Sequence, residues 1–250
     1  MNQAFLDRVR IVLVNTSHPG NIGGVARAMK NMGLSQLYLV DPRKYPHEEA
    51  TKRASNAVDV LEGAVVVGTV EEALSDCDFV LGTSARERRI PWPLKDPRGC
   101  VADALSPRNK TNIAILFGRE HSGLTNEELQ MCHMHMHIPT NPDYSSLNLA
   151  AAVQVVAYEC RLAALEQTIE VGEEEGWDMP LADAEDVERM HQHMAQTLSA
   201  INFIDLDNPK QALNRLRRMF ARIRLDKMEV SILRGMLNKI DKLVDRHKSD

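Results

Sequence analysis

Aromatic residues make up only 4% of this 250-residue chain, so stacking platforms for bases can be few. There are 4 cysteines (Cys77, Cys100, Cys132 and Cys160), widely spaced and without a C-x-x-C pair. That excludes a disulfide framework and a cysteine zinc knuckle, and points to buried, reduced thiols in a cytoplasmic protein. Met1 to Arg10 holds no apolar core, so no signal peptide is expected. The longest apolar stretch, Leu147 to Tyr158, is broken by Asn148 and Gln154 and is too short for a bilayer. Nor is there an excess of positive charge: the net charge of −5 speaks, on its face, against a nucleic-acid partner.

That average hides a division along the chain. Residues 1–164 carry 17 Lys/Arg against 18 Asp/Glu, residues 165–207 carry 1 against 12, and residues 208–250 carry 12 against 5. A basic tail behind an acidic stretch can conceal a polyanion-binding surface. The length suits one large domain or a domain with an appendage, and a chain of this size buries roughly 70–75% of its unfolded surface without staples.

Up to about residue 165, runs apolar on both faces alternate with helical segments. The runs are Val9–Val14, Leu37–Val40, Val65–Val67, Phe79–Leu81 and Ile113–Phe117, with His133–Ile138 a sixth candidate. Ile22–Met32, Glu48–Leu61 and Thr125–Met131 read as helices. Strands apolar on both faces belong to a parallel sheet covered by helices, so the fold class is α/β. The segment 167–180, with Gly172, Glu173, Glu174, Glu175 and Gly176, reads as a linker. Beyond it Val187, Met190, Met194, Leu198 and Ile201 recur at helical spacing. So do Leu213, Leu216, Phe220 and Ile223, then Ile232, Met236, Ile240 and Leu243. A small helical bundle is the simple reading.

After the first strand the glycines fall at 20, 23 and 24, which is neither G-x-G-x-x-G nor a P-loop. Asn21 reads as a helix cap and Arg27 as a solvated arginine. Thr83, Ser84 and Ala85 follow the strand Phe79–Leu81, where an α/β sheet places its ligands. Arg86, Arg88 and Arg89 beside Trp92 suit phosphates and a base, or a plain charged loop. Glu120 sits on a turn between Gly118 and Gly123, and Thr125 with Glu128 fits a capping box. His133, His135 and His137 alternate with Met134, Met136 and Ile138. Three imidazoles in line could hold zinc, but one packed and one polar strand face is the plainer reading, and no metal is expected. Ser145 and Ser146 stand where a Pro-punctuated loop meets a helix, whose free N–H groups make a polar cradle. That helix is apolar nearly all round and suits a core or a subunit interface.

Taken together these segments resemble the SPOUT class of S-adenosylmethionine-dependent methyltransferases, in its SpoU-type 2′-O-ribose branch. The resemblance rests on Asn21-x-Gly23-x-x-x-Arg27, on Phe117-Gly118-x-Glu120-x-x-Gly123-Leu124, and on Ile138-Pro139 through Ser145-Ser146-Leu147-Asn148-Leu149-Ala150. Val14 through His18, Gly82 through Arg86, Pro91-Trp92-Pro93 and Leu213 through Arg218 are similar to the TrmJ group of that branch. The resemblance implies a trefoil knot late in a catalytic domain, residues 1–165, then an acidic linker, 166–180, and an all-α domain, 181–250, touching tRNA. It implies a homodimer, S-adenosyl-L-methionine as cofactor and 2′-O-methylation of tRNA at nucleotide 32 of the anticodon loop. The alternatives are another tRNA or rRNA position, or a non-catalytic RNA-binding protein of the same fold. By resemblance Arg27 and Ser146 are the catalytic positions, supported by Asn21 and Glu120. Thr83, Ser84, Ala85, Gly118, Ile138, Ser145, Ser146 and Leu147 face the methyl donor. Arg86, Arg88, Arg89, Arg215, Arg218 and Arg222 are the candidate phosphate contacts.

Overall fold

A computed structural model describes residues 2–84, 94–106, 109, 112–166, 179–205 and 211–249. Seven strands form one parallel sheet in the order β3-β2-β1-β6-β4-β7-β5. They are β1 (Val9–Val14), β2 (Gln36–Val40), β3 (Val65–Val67), β4 (Cys77–Thr83), β5 (Leu94–Lys95), β6 (Asn112–Phe117) and β7 (Met134–Met136). Every residue of β1 is buried, and all but one of β4 and of β6, which is why these runs carry no polar alternation. The short strand β3 closes one edge and is half exposed.

The helices in chain order are α1 (Gln3–Leu6), α2 (Pro19–Met32), α3 (Glu48–Ala54), α4 (Val58–Glu62), α5 (Val70–Leu74), α6 (Pro97–Ala104), α7 (Asn126–Gln130), α8 (Leu149–Glu166), α9 (Ala184–Ala200), α10 (Ala212–Ile223) and α11 (Lys227–Ser249). One core layer joins Ile11, Leu13, Phe79 and Ile115 of the sheet to Val25 and Met29 of α2 and Val153 and Val156 of α8. The opposite layer joins Val12, Val80 and Leu116 to Leu74 of α5 and Leu129 of α7. A third, small core belongs to the last helices: Ala182, Met190, Met194, Leu225, Val230 and Leu237, with Leu216 and Phe220 packed against it.

Several expectations are amended. The helix expected over Glu48–Leu61 is two helices, broken where Ser55 takes a left-handed φ of 53° before a 3-10 turn. Helix α2 begins at Pro19, capped by His18 Nδ1 rather than by Asn21. The short α5, α6 and β5 were not expected; α5 and α6 were announced only by their caps, Thr69 with Glu72 and Asp96 with Pro97. The linker segment lies almost wholly outside the described residues.

Candidate active site

The three glycine- and serine-rich segments converge at the carboxyl ends of β1, β6, β4 and β7, on one side of which the chain turns to β2 and β3. This is the crevice position of open α/β sheets. A cleft of about 1080 Å³ opens there. Its walls include Thr83, Ser84, Gly118, Ile138, Ser145, Ser146 and Leu147, all of the described residues that the sequence singled out for a cofactor. Ala85, Arg86, Arg88 and Arg89 lie outside the described residues. Phe117, Leu124, Met136, Leu149 and Ala152 add apolar surface; the first, second and fourth stood in the motifs, but their apolar type alone did not assign them to the cleft.

The turn 118–124 is folded back on itself. The Arg119 and Gly123 main chains pair antiparallel, each N–H donating to the other's carbonyl at 3.2 and 2.9 Å. A Cβ on Gly118 would stand 2.1 Å from the Gly123 carbonyl carbon, so only glycine fits. Arg119 braces this turn with a bidentate pair to Glu128 (3.0 Å each) and a hydrogen bond to Asn15 Oδ1. The result holds Glu120 over the start of α2. Its carboxylate accepts from Ser17 N (3.2 Å), Ser17 Oγ (3.0 Å), His18 N (3.3 Å) and Asn21 Nδ2 (2.9 Å). Partial burial pushes the carboxyl pKa up, but these donors outweigh it and hold it at about 2.

Asn148 completes the link. Its Nδ2 donates to Asn21 Oδ1 (3.1 Å), while its own Oδ1 accepts from Ala150 N (2.9 Å) at the start of α8. Glu120, Asn21 and Asn148 therefore tie the three sequence segments by side-chain hydrogen bonds. Asn148 was legible as part of a motif, but nothing in its type or spacing assigned it this bridge. Its neighbours Ser145, Ser146 and Leu147 are exposed on the cleft.

Arg27 is exposed on α2 and makes no hydrogen bond or ion pair with the described residues. It lies six residues past Asn21, about 9 Å along the helix, so Glu120 engages Asn21 and not Arg27. The serine-bearing β4 end is pinned differently: Thr83 Oγ1 donates to Leu116 O (2.8 Å) and Ser84 N to Met136 O (2.9 Å).

The three histidines go three separate ways. His133 Nδ1 accepts from Val80 N (3.0 Å), and burial pushes this ring down to about 3. His135 Nε2 meets Leu129 O (3.1 Å), and His137 Nδ1 meets Ser84 O (3.2 Å). Because β7 is an inner strand of a covered sheet, His135 is buried rather than solvated. No cluster of three or more metal-ligating side chains occurs among the described residues, and no described helix is long and apolar enough to cross a membrane.

On α10, Arg215 and Arg222 are exposed, whereas Arg218 is half buried. Arg217 between them is spoken for by Glu188, at 2.5 and 2.8 Å. The expected basic stripe is thus two open arginines rather than three, and Ile223, expected on the apolar face, is 48% exposed.

Comparison with known proteins agrees with this geometry. Residues 8–158 match the SpoU rRNA methylase family, and residues 185–249 match the C-terminal domain of the tRNA methyltransferase TrmJ. The chain is 53% identical over 245 residues to a tRNA (cytidine/uridine/adenosine-2′-O-)-methyltransferase TrmJ of Pseudomonas aeruginosa, covering 95% of each chain. It is 49% identical over 247 residues to the tRNA (cytidine/uridine-2′-O-)-methyltransferase TrmJ of Escherichia coli K12, covering 98% of this chain and 100% of that one. The crystal structure of TrmJ from Zymomonas mobilis ZM4 superposes with a TM-score of 0.80 at 33% identity, covering 93% of this chain and 98% of that one. The chain belongs to the SpoU methylase family and, within it, to the TrmJ group of tRNA (cytidine/uridine-2′-O-)-methyltransferases.

Proposed function

We propose that the protein transfers a methyl group from S-adenosyl-L-methionine to the ribose 2′-hydroxyl of nucleotide 32 in the tRNA anticodon loop, in the cytoplasm. The observation that carries the reading is the cleft bounded by the second and third motif segments and the end of β4, to which the first segment is tied through Glu120, Asn21 and Asn148. Its donor set suits the cofactor. Apolar walls from Phe117, Leu124, Met136 and Ile138 match a purine, and the turn at Ser145–Leu147 offers hydroxyls and backbone N–H groups to polar atoms. When bound, the cofactor supplies an electrophilic methyl on a sulfonium; the protein supplies position and electrostatics.

A ribose hydroxyl is a weak nucleophile that must be oriented and relieved of its proton. Arg27, always protonated, binds the adjoining phosphate and stabilises charge developing on the 2′-oxygen. Ser146 hydrogen-bonds that hydroxyl. Glu120, a carboxylate saturated with four donors and held at about 2, is a poor base; it positions Asn21. No metal takes part in this scheme. Arg215 and Arg222, with Arg86, Arg88 and Arg89, contact phosphates, and the half-buried Arg218 lies between the first two on α10.

Residues 1–165 form the catalytic domain, 166–180 a linker and 181–250 a tRNA-contacting all-α domain. The separate small core of α9–α11 supports that division. The insertion of β7 between β4 and β5, strands consecutive in the chain, supports a trefoil knot. Val155, Tyr158 and Leu165 are exposed on α8, with Leu147 and Tyr144 before it, and this apolar face supports a homodimer with the site at the subunit interface.

A second position is worth separating. A structure described as giving insights into 2-OH methylation of C/U34 on tRNA superposes at a TM-score of 0.50 and 26% identity, over 65% of this chain. Incubation of the purified protein with unmodified tRNA and labelled cofactor, followed by nucleotide mapping, decides. Label at nucleotide 32 supports the proposal; label only at nucleotide 34, or only elsewhere in the tRNA, overturns the assignment of position.

A further inference from the structure

Two groups of cations in the catalytic part stand in contrast among the described residues. Arg10, Lys30, Lys52, Lys95, Arg98 and Arg119 each have a carboxylate within 3.2 Å. Arg27, Arg43, Lys44 and Arg53 are exposed, and none pairs with a carboxylate among the described residues.

Contacts of the loop before α3 and of α3 itself place this second set next to the loop that Glu120 binds and along α2. The Arg43 main chain donates to Thr16 O (3.2 Å), next to Ser17, whose N–H and hydroxyl both bind Glu120. Arg43 and Lys44 therefore stand beside the active-site loop. Further round, α3 lies on α2 in backbone contact. A Cβ on Gly23 would fall 2.1 Å from Ala50 O and 2.9 Å from Arg53 Cβ. Arg27 is one turn beyond Gly23 on the same helical face, and Lys30, the next residue of that stripe, pairs with Asp59 of α4 (2.6 Å). Arg53 and Arg27 thus share the α2–α3 groove. The acids nearby do not neutralise them: Glu48 faces Lys52 (3.2 Å) and Glu49 lies 3.7 Å from His18 Nε2.

Exposed like charges held side by side without counter-ions repel one another, a cost compensated when a polyanion lies across them. We propose that Arg43, Lys44 and Arg53 form a phosphate-binding rim that grips the tRNA backbone on the α2–α3 side of the cleft, next to Arg27. The proposal rests on the tRNA-methyltransferase reading and adds a binding surface to it that is separate from the α10 arginines. Each phosphate contact releases condensed counter-ions and steepens the salt dependence of binding by about one in log–log slope.

The test compares the full chain with a triple Arg43→Ala/Lys44→Ala/Arg53→Ala variant. Unmodified tRNA binding is measured by fluorescence anisotropy across a salt series. Cofactor affinity and methyl transfer at saturating tRNA are measured separately. The triple variant should bind tRNA on the order of 10- to 100-fold more weakly at about 0.1 M salt, with a log–log slope shallower by about two to three. Its saturated turnover and cofactor affinity should stay within about twofold. Lys52→Ala, on the same helix but ion-paired, should leave binding unchanged, and Arg43→Lys/Arg53→Lys should retain most of it. A triple variant that binds with the parent's affinity and slope overturns the rim. So does Lys52→Ala weakening binding as much as the triple variant, since that would make the effect one of overall charge. Parent protein that binds tRNA but methylates none is instead a failure of the functional reading, and the rim is still judged on binding.

Discussion

Replacing Glu120 by Gln removes one charge while keeping the shape of the side chain. The carboxylate accepts four hydrogen bonds, two at each oxygen. The amide can accept only on its oxygen and turns its NH₂ toward donors, so about half of the bonding is lost and a donor–donor clash is added. A carboxyl held at about 2 instead of the ordinary 4.5 corresponds to at most ~3 kcal/mol of stabilisation. Glu120 is only partly buried, so screening reduces this to ~1–2 kcal/mol. The sign follows from the depressed pKa: the stabilisation is complete above the unfolded value of 4.5 and is lost as the pH falls toward 2. Urea unfolding at about pH 7 and again near pH 3 should show Glu120→Gln less stable by ~1–2 kcal/mol at the higher pH and by roughly 40% of that at the lower, the gap closing only as the pH nears 2. Turnover should fall more than stability, by roughly 10²-fold, because a displaced Asn21 loosens the link to Asn148. A variant equally stable at neutral pH, or one whose deficit grows with acid, would refute the reasoning that this carboxylate anchors the loop through its charge.

Other substitutions probe separate points. Arg27→Ala should leave cofactor affinity by calorimetry near that of the parent while removing most turnover; near-normal methylation would sink its assignment. Gly23→Ala sets a Cβ 2.1 Å from Ala50 O, a backbone atom that cannot step aside, so α3 must move off α2 and thermal unfolding should drop by about 3 kcal/mol or more. Arg10 is buried, meets Asp76 at 2.6 and 2.9 Å and Ala73 O at 2.6 Å, and lies 3.9 Å over the Tyr38 ring. Asp76 is itself 57% exposed, so Arg10→Ala should cost ~2–3 kcal/mol in denaturation and leave cofactor affinity unchanged.

Much of the fold is legible in residue types alone. The runs Val9–Val14 and Ile113–Phe117 have no polar alternation because both faces of the sheet are covered, and α9 to α11 announce themselves by helical spacing. The pieces that escape notice are short: β5 has two residues and α5 has five, too few for any period to show. Within the site, Glu120 and Asn21 were visible as polar residues on glycine-flanked turns, and the three motifs in order named the family. What the chain could not show was their junction. Asn21 and Glu120 are 99 residues apart, and Asn148 lies 127 residues from Asn21. Local spacing carries no information about hydrogen bonds across such distances.

The sequence by itself therefore determined the covered parallel sheet, the family and the divided charge that a net value of −5 conceals. Those are matters of pattern and composition, which act locally or as sums. The tertiary structure decided which charges are open. Arg119 and Arg217 read like any arginine, yet each is committed to a glutamate, while Arg27, Arg43 and Arg53 are left facing solvent. Pairing depends on which carboxylate the fold brings within a few ångströms, and Coulomb attraction across so short a gap is settled only once distant segments are packed together.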